Sequence, residues 1–151
     1  MRSKIRLVTQ QNKGYCGPAS VKMVLDSYGI TKTQREIGEF LGATKEDGCD
    51  IPSNLKVFNK LGLWAKYQKD SSLEEVEKFI EHGIHPILYW NRRNLGGHYS
   101  VFAGIDKERV YVADPGNTKR IISFTRERFL ERWVDPQNSR DKREIIVIWH
   151  P

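Results

Sequence analysis

Cysteine is scarce in this chain: Cys16 and Cys49 are the only two among its 151 residues. That scarcity excludes a disulfide framework and points to a reducing, cytoplasmic compartment. Cys49 stands in Asp47-Gly48-Cys49-Asp50-Ile51-Pro52, a loop signal without a helix start directly after it or a histidine nearby, and reads as structural. Long apolar runs are missing as well. None approaches the roughly 18 residues of a membrane span, and Met1 to Thr9 is charged where a secretory signal would be apolar. The expectation is a protein neither exported by that route nor anchored. Repeats, low-complexity tracts and linkers are absent too. Metal chemistry finds little support: His82 and His85 have a usable spacing, but Gly83 and Pro86 break the helix such a pair needs, so no metal or other cofactor is expected. Acidic residues are outnumbered 19 to 25 by Lys and Arg, for a formal charge of +6. Arg92-Arg93, Lys119-Arg120 and the set Arg126, Arg128 and Arg132 are scattered, and Glu127 and Glu131 offset the last of them. A solvated basic face therefore accounts for the charge better than a nucleic-acid partner does.

What the chain does have is one unusual turn, Gln10-Gln11-Asn12-Lys13-Gly14-Tyr15-Cys16-Gly17-Pro18-Ala19-Ser20. After it, Val21, Val24, Leu25 and Tyr28 recur at i, i+3, i+4 and i+7, the signature of one buried helix face. Pro18 suits a first helical turn, where its missing N–H would be unpaired anyway, and Gly17 permits the tight approach to it. Cys16 therefore sits at a helix N-terminus, where unpaired N–H groups and the helix dipole favour thiolate over thiol. Burial as a small hydrophobe is the ordinary alternative for a free cysteine.

Two later runs bear on that choice. Gly96 to Phe102 and Val110 to Gly116 read as strands pairing in a hairpin that turns around Asp106 to Arg109. His98 begins one strand and Asp114 ends the other, so both lie at the open end of the hairpin and can share a face. Cysteine, histidine and carboxylate, distant in sequence but convergent in space, form the arrangement that activates a thiol for attack on an acyl carbon. Asp114-Pro115-Gly116 is also a common strand-ending turn, in which the carboxylate would bond only local N–H groups.

Gln10, six residues before the cysteine, then Cys16-Gly17-Pro18-Ala19 opening a helix, His98 at a strand start and Asp114-Pro115 occur in this order across nearly the whole chain. In these elements the sequence resembles the papain-like cysteine peptidases that process bacteriocins and cut leader peptides after a double glycine. Many relatives are fused to a membrane transporter; this chain resembles a stand-alone member. The resemblance implies Cys16 as nucleophile, His98 as general base and acid, Asp114 as orienter of the imidazole, and Gln10 as oxyanion donor with Gln11 its near rival. It implies a peptide or protein substrate, with cleavage after a Gly-Gly type site. The same residues would equally serve a deamidase or acyl transferase, because the thioester chemistry is shared until leaving group and acceptor are chosen. A non-catalytic binding module on the same scaffold is the alternative from another class. Arg92 and Arg93, on the loop leading to His98, would favour an acidic peptide.

The remaining pattern is helices first and strands later. Thr33-Gln34-Arg35-Glu36 and Ser72-Leu73-Glu74-Glu75 are capping boxes, the first opening a face of Ile37, Phe40 and Leu41, the second one of Leu73, Val76, Phe79 and Ile80. Ser53 starts a helix that turns Leu55, Phe58 and Leu61 inward. Trp64 to Gln68 is extended, Ile87 to Trp90, Ile121 to Phe124 and Ile145 to Trp149 read as strands, and Thr125 to Trp133 is an amphipathic helix. The expectation is an α+β, papain-like fold, one domain over residues 1–151, with a helical N-terminal half packed against a C-terminal antiparallel sheet and the cleft between them.

Overall fold

The computed structural model describes residues 5–92, 96–116, 119–138 and 140–151. Along the chain run α1 (Cys16–Ser27), α2 (Gln34–Leu41), a 3₁₀ segment (Ile51–Leu61), β1 (Trp64–Gln68), α3 (Leu73–Glu81), β2 (Ile87–Asn91), β3 (Gly97–Ile105), β4 (Arg109–Ala113), β5 (Ile122–Thr125), α4 (Arg126–Arg132) and β6 (Glu144–Trp149). The strands form one six-stranded sheet in the order β1-β6-β2-β3-β4-β5, with every pairing antiparallel. The architecture is the α+β one expected from the sequence.

Local chemistry explains the element ends. In both capping boxes the cap hydroxyl accepts from the N3 backbone N–H while the N3 carboxylate accepts from the cap N–H, satisfying two donors that a helix start leaves open. The helix expected from Ser53 begins earlier. Asp50 is its cap, accepting from the Ser53 N–H and hydroxyl, and Pro52 occupies the first turn. That segment is 3₁₀ and kinks at Asn54, in keeping with the poor geometry of long 3₁₀ runs. Phe58 is buried, whereas Leu55 and Leu61 are half-buried. Phe40, expected inward, is exposed.

The sheet is covered on both faces. Along β6, Ile146 and Ile148 enter a core with α1 and α2, while Ile145 and Val147 enter a second core with α3 and α4. This is the strict alternation of a strand buried on both sides. On β3, Tyr99, Val101 and Ala103 face α1, and Phe102 packs edge-on against Phe129 and Trp133 on the other face. The hairpin between β3 and β4 closes at Asp106, whose Oδ1 accepts from the N–H groups of Glu108 and Arg109. Its register pairs Val101 with Ala113 and carries an irregularity between Phe102 and Gly104. Asp114 and His98 thus lie near one end of the hairpin, and α1 packs across β3 to bring its own N-terminus there.

Candidate active site

The turn before α1 is built by Asn12. Its carbonyl accepts from the Tyr15 N–H at 3.2 Å and from the Gln10 Nε2 at 2.9 Å, and its Oδ1 accepts from the Gly14 N–H at 3.0 Å. Gly14 admits no side chain, because a Cβ there would lie 2.1 Å from the carbonyl oxygen of Thr44. The turn delivers Cys16 as the first residue of α1. Burial alone would push the Cys16 thiol up. Its hydrogen bond to His98, the charge on that ring and the backbone N–H groups of Tyr99 and Gly17 outweigh burial and hold it below the ordinary thiol value.

His98 Nε2 lies 2.6 Å from Asp114 Oδ1, which leaves Nδ1 as the ring nitrogen on the Cys16 side. Burial works against the imidazolium, yet the hydrogen bonds to Asp114 and Cys16 prevail and raise His98 to about 9. Asp114 has no exposed surface. Burial disfavours its carboxylate, but His98, the Gly116 N–H at 2.8 Å and Arg92 keep it below the usual carboxylate range. The lowered thiol, the raised imidazole and the lowered carboxyl together favour a thiolate–imidazolium pair with an ionised carboxylate behind it. Such a pair can attack an acyl carbon and return a proton to the leaving group.

Gln10 is half-buried, and its backbone N–H donates to the Pro115 carbonyl at 3.0 Å, next to Asp114. Its amide nitrogen has two hydrogens, and the Asn12 carbonyl takes one of them. Gln11 is exposed, and its backbone N–H donates to Gln34 Oε1 instead.

Arg92 has a role the sequence did not suggest. Its Nε lies 2.5 Å from Asp114 Oδ2, so its charge is directed at the carboxylate rather than at a peptide, and Arg93 lies outside the described residues. Only its position at the end of β2, beside the loop to His98, hinted at the site. Cys49 is held as a neutral thiol: burial and the nearby Cys16 and Asp50 push it up to about 12. His82 and His85 do not converge. His82 caps α3 and is exposed, whereas His85 is buried with Nδ1 2.8 Å from the Phe102 carbonyl oxygen. Among the described residues there is no group of three His, Cys, Asp or Glu able to hold a metal.

A sequence model of the Peptidase_C39 like family matches residues 2–139. The chain belongs to that family. It is a family of cysteine peptidase domains. A Lactococcin transport/processing ATP-binding protein LcnC-like of Lactococcus lactis subsp. lactis is 31% identical over 136 residues, covering 87% of this chain and 18% of that protein. The chain thus spans about a fifth of the length of that relative. Among solved structures, the peptidase domain of Streptococcus ComA superposes with TM-score 0.77 at 20% identity, covering 97% of this chain and 99% of that one. A double glycine motif protease from an AMS/PCAT transporter, in complex with the leader peptide, superposes with TM-score 0.71 at 23% identity, covering 97% and 92%. At such identities these likenesses bear on the fold, and the fold agrees with family membership.

Proposed function

We propose that this member of the Peptidase_C39 like family hydrolyses a peptide bond through Cys16, His98 and Asp114 by way of a thioester. The observation that carries the reading is the 2.6 Å contact between His98 Nε2 and Asp114 Oδ1, with the Cys16 sulfur hydrogen-bonded to the same ring at a helix N-terminus. The Cys16 thiolate adds to the substrate carbonyl. The backbone N–H of Cys16 and the second Gln10 amide hydrogen stabilise the oxyanion, Gln10 being preferred over Gln11 because it is half-buried and tied to Pro115. The His98 imidazolium protonates the departing amine, leaving a thioester and a neutral ring. That ring then takes a proton from water as the water attacks the thioester, and Cys16 departs as thiolate beside the imidazolium, which restores the starting pair. Asp114 orients the ring and supports its positive charge throughout.

The substrate is read as a peptide cut after a Gly-Gly type site, in analogy with the solved double glycine motif protease bound to a leader peptide. Residues 1–151 act as one peptidase unit, since β6 from the end of the chain lies between β1 and β2. Two free thiols suit a reducing, cytoplasmic compartment.

Two measurements on the purified chain test the reading. Iodoacetamide should alkylate Cys16 rapidly at pH 7, and His98→Ala should slow it. A peptide with an internal Gly-Gly should be cleaved by the wild type and left intact by Cys16→Ala. Slow, equal labelling of both cysteines would refute an activated thiol, and release of ammonia without chain cleavage would favour the deamidase.

A further inference from the structure

Beside the nucleophile lies a cavity of about 230 Å³ with an acidic, phenolic lining. Its floor is a row across four neighbouring strands: Tyr67 of β1 pairs with Ile146 of β6, Glu144 of β6 with Tyr89 of β2, and Tyr89 with Tyr99 of β3. Cys49, Asp50 and Pro52 close one side and Asp135 another. The cavity borders both halves of the reactive pair. A Cβ on Gly17, next to Cys16, would meet Cys49 Sγ at 2.5 Å and the Tyr99 ring at 3.4 Å, and one on Gly97, next to His98, would collide with the Tyr89 hydroxyl.

Three carboxylates line this space, and no Lys, Arg or His does among the described residues. One of the three is incomplete. Glu144 is 8% exposed, and its Oε1 accepts from the Tyr67 hydroxyl while its buried Oε2 has no hydrogen-bond partner. A buried carboxylate oxygen without a donor is costly, and a charged donor is the group that relieves it best. Lys69 is ion-paired with Asp141 at 2.8 Å and does not line the cavity. Among the described residues the carboxylates are not grouped to hold a metal ion. The phenol rings of Tyr67, Tyr89 and Tyr99 add faces that attract cations. The chain as a whole carries +6, so its general field repels cations and any preference for one must come from this cavity.

We propose that the cavity is a specificity subsite for the side chain of a lysine or arginine in the peptide substrate, lying within about three residues of the scissile bond at the reach of an extended chain. This rests on the peptidase reading above. It places the recognised charge on the substrate as positive, the opposite of what Arg92 and Arg93 suggested in the sequence.

The test separates the two readings by measuring binding without turnover. Hexapeptides with a central Gly-Gly and Lys, Arg, norleucine or Glu scanned through the other positions are titrated against the Cys16→Ala protein by fluorescence anisotropy. At one position Lys or Arg should bind at least about tenfold tighter than norleucine, the size of one charge-assisted hydrogen bond, and Glu weaker than norleucine. Adding Glu144→Gln should abolish that preference and adding Asp135→Asn should reduce it, with circular dichroism checking the fold. Should Glu144→Gln not fold, Asp135→Asn, less buried, decides. Equal binding of Lys, Arg and norleucine peptides at every position, or a preference untouched by the folded variants, would overturn the subsite. Failure of the wild type to cleave its tightest-binding peptide would count against the peptidase reading alone.

Discussion

At the residue scale the proposed chemistry depends on whether His98 stays charged beside Cys16. Its raised value of about 9, set by Asp114 and Cys16 against the effect of burial, fixes the alkaline edge. The thiolate–imidazolium pair exists above the lowered value of Cys16 and below that of His98. The kcat/KM for a Gly-Gly peptide should therefore fall as pH rises through about 9, and a profile still rising at pH 10 would contradict the ion pair. Asp114→Asn keeps the side-chain size and the bond from the Gly116 N–H but removes the charge facing His98 and Arg92. Turnover should drop by about one order of magnitude or more, with a stability loss of about 1–3 kcal/mol in urea melts. Unchanged turnover with that stability loss would leave Asp114 as a turn former. Gln10→Ala should lower kcat about 10²- to 10³-fold while Gln11→Ala, at an exposed position, leaves it unchanged. The reverse pattern would move the oxyanion donor by one residue.

At the element scale the N-terminus of α1 must seat against β3 with no intervening side chain. Gly17 provides that contact, because Cys49 Sγ occupies the space a Cβ would need. Alanine normally favours a helix over glycine by about 1 kcal/mol, yet here overpacking of about 1–3 kcal/mol should prevail. Gly17→Ala should thus lower the urea midpoint, and Gly17→Ala with Cys49→Ala should recover much of it. A Gly17→Ala chain as stable as the wild type would show that Cys49 moves freely. The boundaries of α2 and α3 were legible because each capping box acts within four residues. The start at Ile51 was missed because Asp50 competes with Ser53 for the same cap, and both are favourable cap residues. Phe40 is placed inward by spacing alone, but α2 is only eight residues long and buries Ile37, Gly38 and Leu41.

At the scale of the whole molecule the last strand closes the sheet. β6 pairs with β1 on one side and β2 on the other, and its apolar residues enter both cores. Removing residues 144–151 should abolish cooperative unfolding rather than trim stability, as read by near-ultraviolet circular dichroism in urea. A cooperative transition in the truncated chain would show that β1 and β2 tolerate the gap. The same strand carries Glu144 into the cavity beside Cys16, so sheet closure and the proposed subsite depend on one element.

The sequence by itself determined what short-range physics governs: apolar spacing of 3.6 or 2, capping within four residues, and a cysteine placed by Gly17 and Pro18 at a helix start. It also put His98 and Asp114 at one hairpin end, because a tight turn at Asp106 leaves little freedom in how the two strands align. Only the tertiary structure decided that Arg92 neutralises Asp114, that helices cover both sheet faces, and that Asp50, Asp135 and Glu144 line one cavity. Those outcomes follow from strand order and long-range register, where residues far apart in sequence meet through packing. No local pattern encodes such meetings, because each depends on every element between them finding its place.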